Sequence, residues 1–179
     1  MIERIVLTGG PGVGKTALLD LLTEKGFQTL PDAARMLIER EQEKHSDCLP
    51  WKNNQRFLEE VTKLQLELEE TSTQGTVFQD CSIIEGYAYA KTQGLYVPKR
   101  ILEQGRNRYH KVLFLERLPF YSKNSSRRED IDTAQRISEA LRKAYSEFGY
   151  NTISIPVLPV ERRFEYVTNI MDPIIRTLC

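Results

Sequence analysis

Residues 9–16 have the sequence Gly-Gly-Pro-Gly-Val-Gly-Lys-Thr, which fits the whole of the G-x-x-x-x-G-K-[ST] pattern. Glycines in such a loop let backbone N–H groups converge on phosphate oxygens at the start of a helix, where the helix dipole also favours an anion. Lys15 adds a mobile cation, and the Thr16 hydroxyl is a ligand for Mg²⁺. The pattern predicts a nucleoside triphosphate site formed by Gly9, Gly10, Pro11, Gly12, Val13, Gly14, Lys15, Thr16 and Ala17.

The residues on both sides of this loop agree with that prediction. An apolar run within 2–7 indicates a buried strand before the loop, and apolar residues within 17–22 give the inward face of a helix after it. The alternative is an ordinary glycine-rich turn between a strand and a helix. A chance match of the full pattern is rare in a chain of this length, and the flanking elements make it rarer still.

Asp80 is the candidate for a second magnesium ligand, beside Thr16. It ends an apolar run at 76–79, and an apolar strand that terminates in a carboxylate is the usual second motif of such nucleotide sites. Magnesium prefers oxygen ligands, and a carboxylate anchors its water shell. The alternative role for Asp80 is the N-cap of the following helix, which is a common use of aspartate.

Asp32 and Arg35 follow the second predicted strand, where Pro31 is suited to start a helix. Three residues apart on a first helical turn, their side chains share one face. Ligands of parallel sheets gather at the carboxyl ends of the strands, so we expect both side chains in the cleft of the phosphate loop. Asp32 would accept a proton from an attacking hydroxyl, and Arg35 would bind a phosphate. Equally, the pair fits a capping aspartate in an i, i+3 ion pair.

A basic stretch lies between residues 99 and 128. Its cations are Lys99, Arg100, Arg106, Arg108, Lys111, Arg117, Lys123, Arg127 and Arg128, against Glu103 and Glu116 alone. Such a stretch is often a solvated face, but in a phosphate-handling protein we expect part of it to clamp phosphate. Its end, 117–128, is polar and poorly periodic, so we predict a mobile lid loop there.

Strand-like runs alternate with helix-period segments along the whole chain, which predicts parallel strands joined by helical crossovers. The predicted strands are 2–7, 27–30, 76–79, 111–115 and 152–157. The predicted helices are 15–25, 32–45, 51–72, 84–93, 98–106, 129–148 and 159–172. Because the sequence has neither an internal repeat nor a low-complexity linker, we expect one P-loop nucleotide-binding domain over residues 1–179.

The predicted helix at 51–72 forms the main part of a helical arm at 41–74. It has an apolar stripe of Phe57, Val61, Leu64 and Leu68, opposite Glu59, Glu60, Glu67 and Glu70. We expect this stripe to pack on the domain, which is the commoner use of such a face. The alternative is a docking surface for a partner helix.

Composition and charge exclude several classes of protein. Of 179 residues, 40% are hydrophobic and 28% charged, as in soluble globular domains, and no apolar run approaches the length of a membrane span. The formal net charge is zero, so no global field favours nucleic acid. Cys48, Cys81 and Cys179 lack the spacing of zinc or disulfide motifs, and the chain opens on a strand rather than an export signal. We expect a cytoplasmic protein that binds neither membranes nor nucleic acid.

Several stretches resemble a family of AAA-type P-loop ATPases and kinases that includes the ribosylnicotinamide kinase domain of a bacterial regulator of NAD biosynthesis. Deoxynucleoside and thymidylate kinases are a looser match. The similar stretches are the phosphate loop, Pro31-Asp32-Ala33-Ala34-Arg35, the segment from Phe78-Gln79-Asp80 to Ala88-Tyr89-Ala90, Arg127-Arg128-Glu129, and residues 145–150 and 159–163.

The resemblance implies a three-layer α/β fold, with a five-stranded parallel sheet in the order 2-3-1-4-5, helices on both faces and a lid loop. It implies catalytic roles for Lys15 and Asp32, with Asp32 in the position of the base of nucleoside kinases. It also places Arg127 and Arg128 in the lid, where they would meet the charge of the transition state. The similar segment near the C-terminal end adds Arg163 to the nucleotide-binding residues.

At two positions the chain departs from this family. The arginine that usually follows the third-strand aspartate is Cys81 here, and the aspartate of the lid is Asn124 or missing. A phosphate-binding cation is therefore absent from its usual place. Either Arg35, Arg127 or Arg128 supplies that charge, or phosphoryl transfer is weakened.

The function that we expect is magnesium-dependent transfer of the terminal phosphoryl group of ATP to a small, nucleoside-like acceptor. A slow NTPase or a nucleotide-dependent switch, which would act on a protein partner through the arm, is one alternative. A nucleotide-binding protein without turnover is another. No N-K-x-D motif occurs, which disfavours a GTP-specific switch. The sequence names neither the acceptor nor the oligomeric state.

Overall fold

Five strands form one parallel sheet in the computed structural model, which describes residues 2–117 and 128–171, with side chains at 2–117 and 133–171. The strands are β1 (Ile2–Thr8), β2 (Gln28–Leu30), β3 (Gly75–Asp80), β4 (Lys111–Leu115) and β5 (Thr152–Ile155). Their order is β2-β3-β1-β4-β5, so the predicted sheet order is confirmed. The one marked difference is β5, which ends at Ile155 rather than at 157.

Helices join the strands, as the alternating pattern predicts. They are α1 (Lys15–Glu24), α2 (Ala33–Glu43), α3 (Asn54–Glu70), α4 (Ile83–Gln93), α5 (Lys99–Gln104), α6 (Arg128–Glu147) and α7 (Val160–Ile170). The largest difference is at α3, which begins at Asn54 because the Asn53 side chain caps it, accepting a hydrogen bond from the Arg56 N–H at 3.2 Å. Within the described ranges, none of these helices is long and apolar enough to cross a membrane.

Apolar clusters cover both faces of the sheet. On β1, Ile5 and Leu7 face the cluster shared with α1 and α7, whereas Val6 faces the cluster shared with α4 and α6. This alternation follows from the pleat of a strand, in which neighbouring side chains point to opposite faces. A sheet covered on both faces gives the three-layer arrangement predicted above, and it leaves the carboxyl ends of the strands as the open edge.

The buried face of α3 differs from the predicted stripe. Of that stripe Phe57 is buried, but Val61 and Leu64 are only partly covered, against α2. The fully buried positions are Phe57, Leu58, Thr62, Gln65, Leu66 and Glu69. The stripe packs on the domain through Phe57, Val61 and Leu64, as expected. The buried face also includes residues outside the stripe, three of them polar, and a hydrophobic pattern assigns such residues to solvent.

Residues 118–127 lie outside the described ranges, and with them most of the predicted lid at 117–128. Arg127 is among these residues. Arg128 begins α6, but its side chain is not described. The lid, the arm boundaries at 41–74 and the single-domain organisation stay predictions.

Candidate active site

The phosphate loop lies between the end of β1 and the start of α1, where its pattern predicts it. Gly9 has a φ of 140°, and a Cβ there would lie 2.8 Å from the Leu115 carbonyl oxygen. Gly14 is the N-cap of α1 with a φ of 90°, a conformation that glycine adopts readily. It provides no side-chain cap, so the first N–H groups of α1 are available to an anion.

Lys15 lies over this loop. Its Nζ donates to the carbonyl oxygens of Gly9, at 2.8 Å, and Gly10, at 3.2 Å. An anion bound by the loop would therefore meet the ammonium group of Lys15 at the same place. Thr16 follows in the first turn of α1 and is exposed.

Arg163 supports the loop from α7. The side chain is 4% exposed, and its guanidinium donates to the carbonyl oxygens of Val13, Pro156 (3.2 Å) and Glu116 (3.4 Å). Burial lowers the pKa of this guanidinium. The structure thus shows Arg163 as a link between the loop and the ends of β4 and β5, and its predicted contact with nucleotide stays a prediction.

Arg163→Met is expected to destabilise the folded protein by about 1–3 kcal/mol, because buried carbonyl groups lose their donors while the apolar stem is kept. It should also weaken nucleotide binding, since Val13 belongs to the loop. Thermal unfolding and titration with ATP measure the two effects. Arg162→Met, at the neighbouring exposed position, is the matched control. Equal stability of the two variants would contradict this role.

Asp80 ends β3 beside the phosphate loop, since it pairs with Leu7 in the β1–β3 register and is 4% exposed. The N-cap of α4 is Ser82, whose Oγ accepts from the Ile84 N–H at 3.2 Å, so the capping alternative for Asp80 is wrong. Burial raises the pKa of the Asp80 carboxyl; the charge of Lys15 opposes this rise and the charge of Asp32 adds to it. The three side chains therefore share one electrostatic environment.

Asp32 is the N-cap of α2. Its Oδ1 accepts from the N–H groups of Ala34, at 2.8 Å, and Arg35, at 3.4 Å. The predicted i, i+3 ion pair does not form, because the Arg35 side chain pairs instead with Glu39, at 3.3 Å, and is 67% exposed. Asp32 also lines a cavity together with Lys15. Capping and a place in the site are thus compatible for Asp32, whereas acceptor binding by Arg35 stays a prediction.

One continuous cavity of about 510 Å³ extends from the phosphate loop into the space between α2, α3, α4 and α6. Gly9, Pro11, Lys15 and Asp32 lie at its loop end. Its lining is mainly apolar and aromatic, and includes Ile38, Phe57, Leu58, Val61, Tyr89 and Leu141. Both the volume and the lining are typical of a site for a small organic molecule.

Glu85 is a cavity residue that the sequence analysis missed. Its Oε1 accepts from the Tyr145 hydroxyl at 3.2 Å, and burial raises the pKa of its carboxyl against the opposing charge of Lys15. The available signal was its place in the first turn of the helix after Asp80. The cavity thus holds a second carboxylate, beside Asp32.

Much of the basic stretch serves other contacts. Lys99 pairs with Glu103 at 3.2 Å, Arg106 donates to the Glu147 carbonyl at 2.9 Å, and Arg108 forms an ion pair with buried Glu69. None of these three cations lines the cavity. The phosphate clamp expected from this stretch stays a prediction, since the side chains of Lys123, Arg127 and Arg128 lie outside the described set.

Solved structures share this fold. The NadR protein in complex with NR has a TM-score of 0.66 and is 19% identical, over 93% of this chain and 49% of that one, so this chain spans about half its length. Thymidylate kinase from Ehrlichia chaffeensis has a TM-score of 0.65 and 12% identity, over 96% and 99% of the two chains. Deoxyadenosine kinase from M. mycoides with bound dATP has a TM-score of 0.56 and 15% identity, over 94% and 98%.

A family match covers most of the chain. Residues 4–163 match the AAA domain family, and the match includes the phosphate loop, both aspartates of the site and Arg163. Among curated proteins, none matches the chain. Because the match covers residues 4–163, the chain belongs to the AAA domain family, and its sheet order is that of the P-loop kinase fold.

Proposed function

We propose that the protein is a magnesium-dependent phosphotransferase that transfers the terminal phosphoryl group of ATP to a small, nucleoside-like acceptor. One observation carries this proposal: the phosphate loop, Asp32 and an apolar chamber belong to the same cavity. A phosphate donor bound at the loop and an organic acceptor bound in the chamber would meet at Asp32. The likeness in fold to thymidylate kinase and deoxyadenosine kinase supports the same proposal.

The donor set fits a magnesium ion. Thr16 offers a hydroxyl and Asp80 a carboxylate, both hard oxygen ligands, and Mg²⁺ in kinases takes its other ligands from phosphates and water. The buried Asp80 carboxyl has a raised pKa, so its negative charge is not fully compensated by Lys15, and a cation would stabilise it. When bound, the metal would neutralise charge on the phosphates, while Thr16 and Asp80 would hold it beside the loop.

In the transfer, the acceptor hydroxyl oxygen forms a bond to the terminal phosphorus of ATP, and the bond from that phosphorus to the ADP oxygen breaks. The hydroxyl proton goes to the Asp32 carboxylate. The Lys15 ammonium group would stay in contact with the β and γ phosphates. Arg127 and Arg128 would balance the negative charge of the transition state. The capping bonds at the start of α2 hold the Asp32 carboxylate in place, because its Oδ1 accepts hydrogen bonds from two backbone N–H groups.

The charges of the cavity favour an acceptor that carries no phosphate of its own. Among the described lining residues Lys15 is the one cation, and it lies at the loop end. Asp32 and Glu85 are acidic. A phosphate ester in the chamber would therefore lie near carboxylates with no cation to pair with. An uncharged or cationic nucleoside would not meet this repulsion.

Incubation with ATP, magnesium and a panel of nucleosides tests the proposal, with ADP and phosphorylated product followed separately. Phosphorylated product that depends on one acceptor is the expected result. Free phosphate released without an acceptor would instead indicate an NTPase, and ATP binding without either product would indicate a nucleotide-binding protein.

A slow NTPase or switch is the second candidate, and Cys81 is the observation that favours it. This residue stands where related kinases carry a phosphate-binding arginine, and its φ of 73° is rare for a residue with a side chain. If the lid supplies no cation, charge at the transferring phosphoryl group is less well stabilised. The separate products of the panel experiment distinguish this case.

Asp80→Asn should remove magnesium-stimulated turnover and, at neutral pH, stabilise the nucleotide-free protein. Burial raises the pKa of Asp80 in the folded state, so its ionised form costs stability above that pKa, and the isosteric amide removes this cost. The gain should vanish as pH falls below the ordinary aspartate value of 3.8, where the acid is protonated in both states.

Thermal unfolding over a pH series, and turnover with and without magnesium, measure the two effects. Asp47→Asn, at an exposed position, is the control. A destabilised Asp80→Asn variant at neutral pH, or one with unchanged magnesium dependence, would contradict the assignment.

A further inference from the structure

A buried carboxylate organises one wall of the cavity. Glu69 of α3 is 0% exposed, and its Oε1 accepts from Gln65 Nε2 (3.0 Å), Gln79 Nε2 (2.9 Å) and the Tyr109 hydroxyl (3.0 Å). Its Oε2 forms the ion pair with Arg108. An ionised carboxylate only accepts hydrogen bonds, so each of these neighbours must present a donor to it.

This requirement fixes the orientation of the Gln65 amide. Its Nε2 bonds Glu69, so the carbonyl Oε1 is the free end of the group. Among the described residues, none donates to that oxygen. Gln65 lines the cavity, and its Oε1 is not one of the sealed, unpaired atoms of the interior, whereas Gln79 Oε1 is. The Gln65 oxygen is therefore available to a molecule in the cavity.

Thr62 presents a second acceptor on the same wall. Its hydroxyl donates to the Leu58 carbonyl at 2.7 Å, so only its lone pairs remain for a ligand. Thr62 and Gln65 lie three residues apart on α3 and share one face. Gly86 of α4 lies opposite, where a Cβ would lie 3.1 Å from the Ile101 Cδ1 and 3.6 Å from the Thr62 Oγ1. Glycine therefore lets α4 approach α3 closely at this wall, where a larger side chain would take up the space.

We propose that Gln65 and Thr62 determine acceptor specificity by binding an amino, amide or ring N–H group at the end of the acceptor that enters between α3 and α4. This proposal rests on the proposed function and narrows it to nucleosides whose base presents a hydrogen-bond donor. A base that offers only acceptors would leave the Gln65 oxygen buried without a partner, which is the costly case in recognition.

Matched acceptors test this directly: adenosine against purine riboside, and cytidine against the riboside of 2-pyrimidinone, since each pair differs by the exocyclic amino group. Gln65→Met keeps the length of the side chain and removes the oxygen, together with the Nε2 donor to Glu69. For the amino-bearing acceptor that the protein uses, we expect the KM to rise about 10- to 100-fold while kcat and the KM for ATP stay unchanged. For the analogue without the amino group, the KM should stay the same.

Gln55→Met is the matched control, because Gln55 lies on the same helix but outside the cavity lining, bonded to the backbone of Tyr96. Thr62→Val gives an independent test, because its effect on the stability of the fold differs from that of Gln65→Met. It should raise the same KM several-fold. Calorimetric titration with the acceptor in the absence of ATP measures its affinity and gives a readout besides activity.

Two failures are distinguishable. If the wild-type protein phosphorylates no nucleoside, the proposed function itself is wrong. If it phosphorylates a nucleoside but both the Gln65→Met and Thr62→Val variants discriminate between the matched acceptors as the wild type does, the specificity proposal alone is wrong. Preference of the wild type for the analogue without the amino group would overturn it as well.

Discussion

Lys15→Ala will weaken the binding of ATP by about 10- to 100-fold, because it removes a charge-assisted contact in a partly enclosed loop. The Lys15 Nζ already lies over the loop, at 2.8 Å from the Gly9 carbonyl oxygen. Helix α1 should still form, since its N-cap at Gly14 and its buried leucines do not depend on the Lys15 side chain. Titration with ATP in the absence of an acceptor measures the loss.

Two further variants make this test specific. Lys15→Met keeps the length of the side chain without its charge and should lose as much affinity as the alanine variant. Lys25→Ala removes an exposed lysine at the other end of α1 and should bind ATP as the wild type does. Equal affinity of the Lys15 variants and the wild type would refute the assignment of the phosphate loop.

The elements that could be predicted from sequence are those whose physics is local. Apolar runs of strand length marked all five strands, because a parallel sheet covered on both faces leaves little room for polar residues. The loop at 9–16 was predictable for a similar reason, since Gly9 and Gly14 have backbone conformations or contacts that a side chain would disturb. A constraint written into a few consecutive residues survives without knowledge of the rest of the fold.

The wall of the cavity could not be predicted, because its partners lie far away along the chain. Gln65 and Glu69 suggest a solvated face of α3, and they are buried only because Arg108 and Gln79 arrive from other elements. Such long-range compensation has no periodic signal. Arg35 is the opposite case: its partner Glu39 is only four residues away, a spacing that the sequence alone shows to be suited to an i, i+4 ion pair.

Asp32 has a local role, as the cap of α2, and a proposed role in the site, as the acceptor of the hydroxyl proton. One substitution separates the two roles. An asparagine at this position keeps an oxygen that accepts the N–H bonds from Ala34 and Arg35, so α2 stays capped. It cannot take the proton of the acceptor hydroxyl. We therefore expect Asp32→Asn to lower kcat by about 100- to 10,000-fold while the unfolding temperature and the affinity for ATP stay unchanged.

The companion variant Asp32→Ala removes the cap as well, and should also destabilise the protein, by about 0.5–2 kcal/mol. Asp20→Asn, at an exposed position on α1, controls for the loss of one charge. Removal of the Asp32 charge also lowers the pKa of Asp80, so a slower Asp32→Asn variant does not reflect a failure of Asp80 to ionise.

The outcome against this role is equally clear. If Asp32→Asn turns over at the rate of the wild type while Asp32→Ala is merely less stable, Asp32 is a capping residue alone. The proton acceptor would then be sought in Glu85, which is the other carboxylate of the cavity lining in the described part of the chain. Its raised pKa predicts that activity relying on Glu85 would increase as pH rises through that pKa, since only the ionised carboxylate accepts a proton.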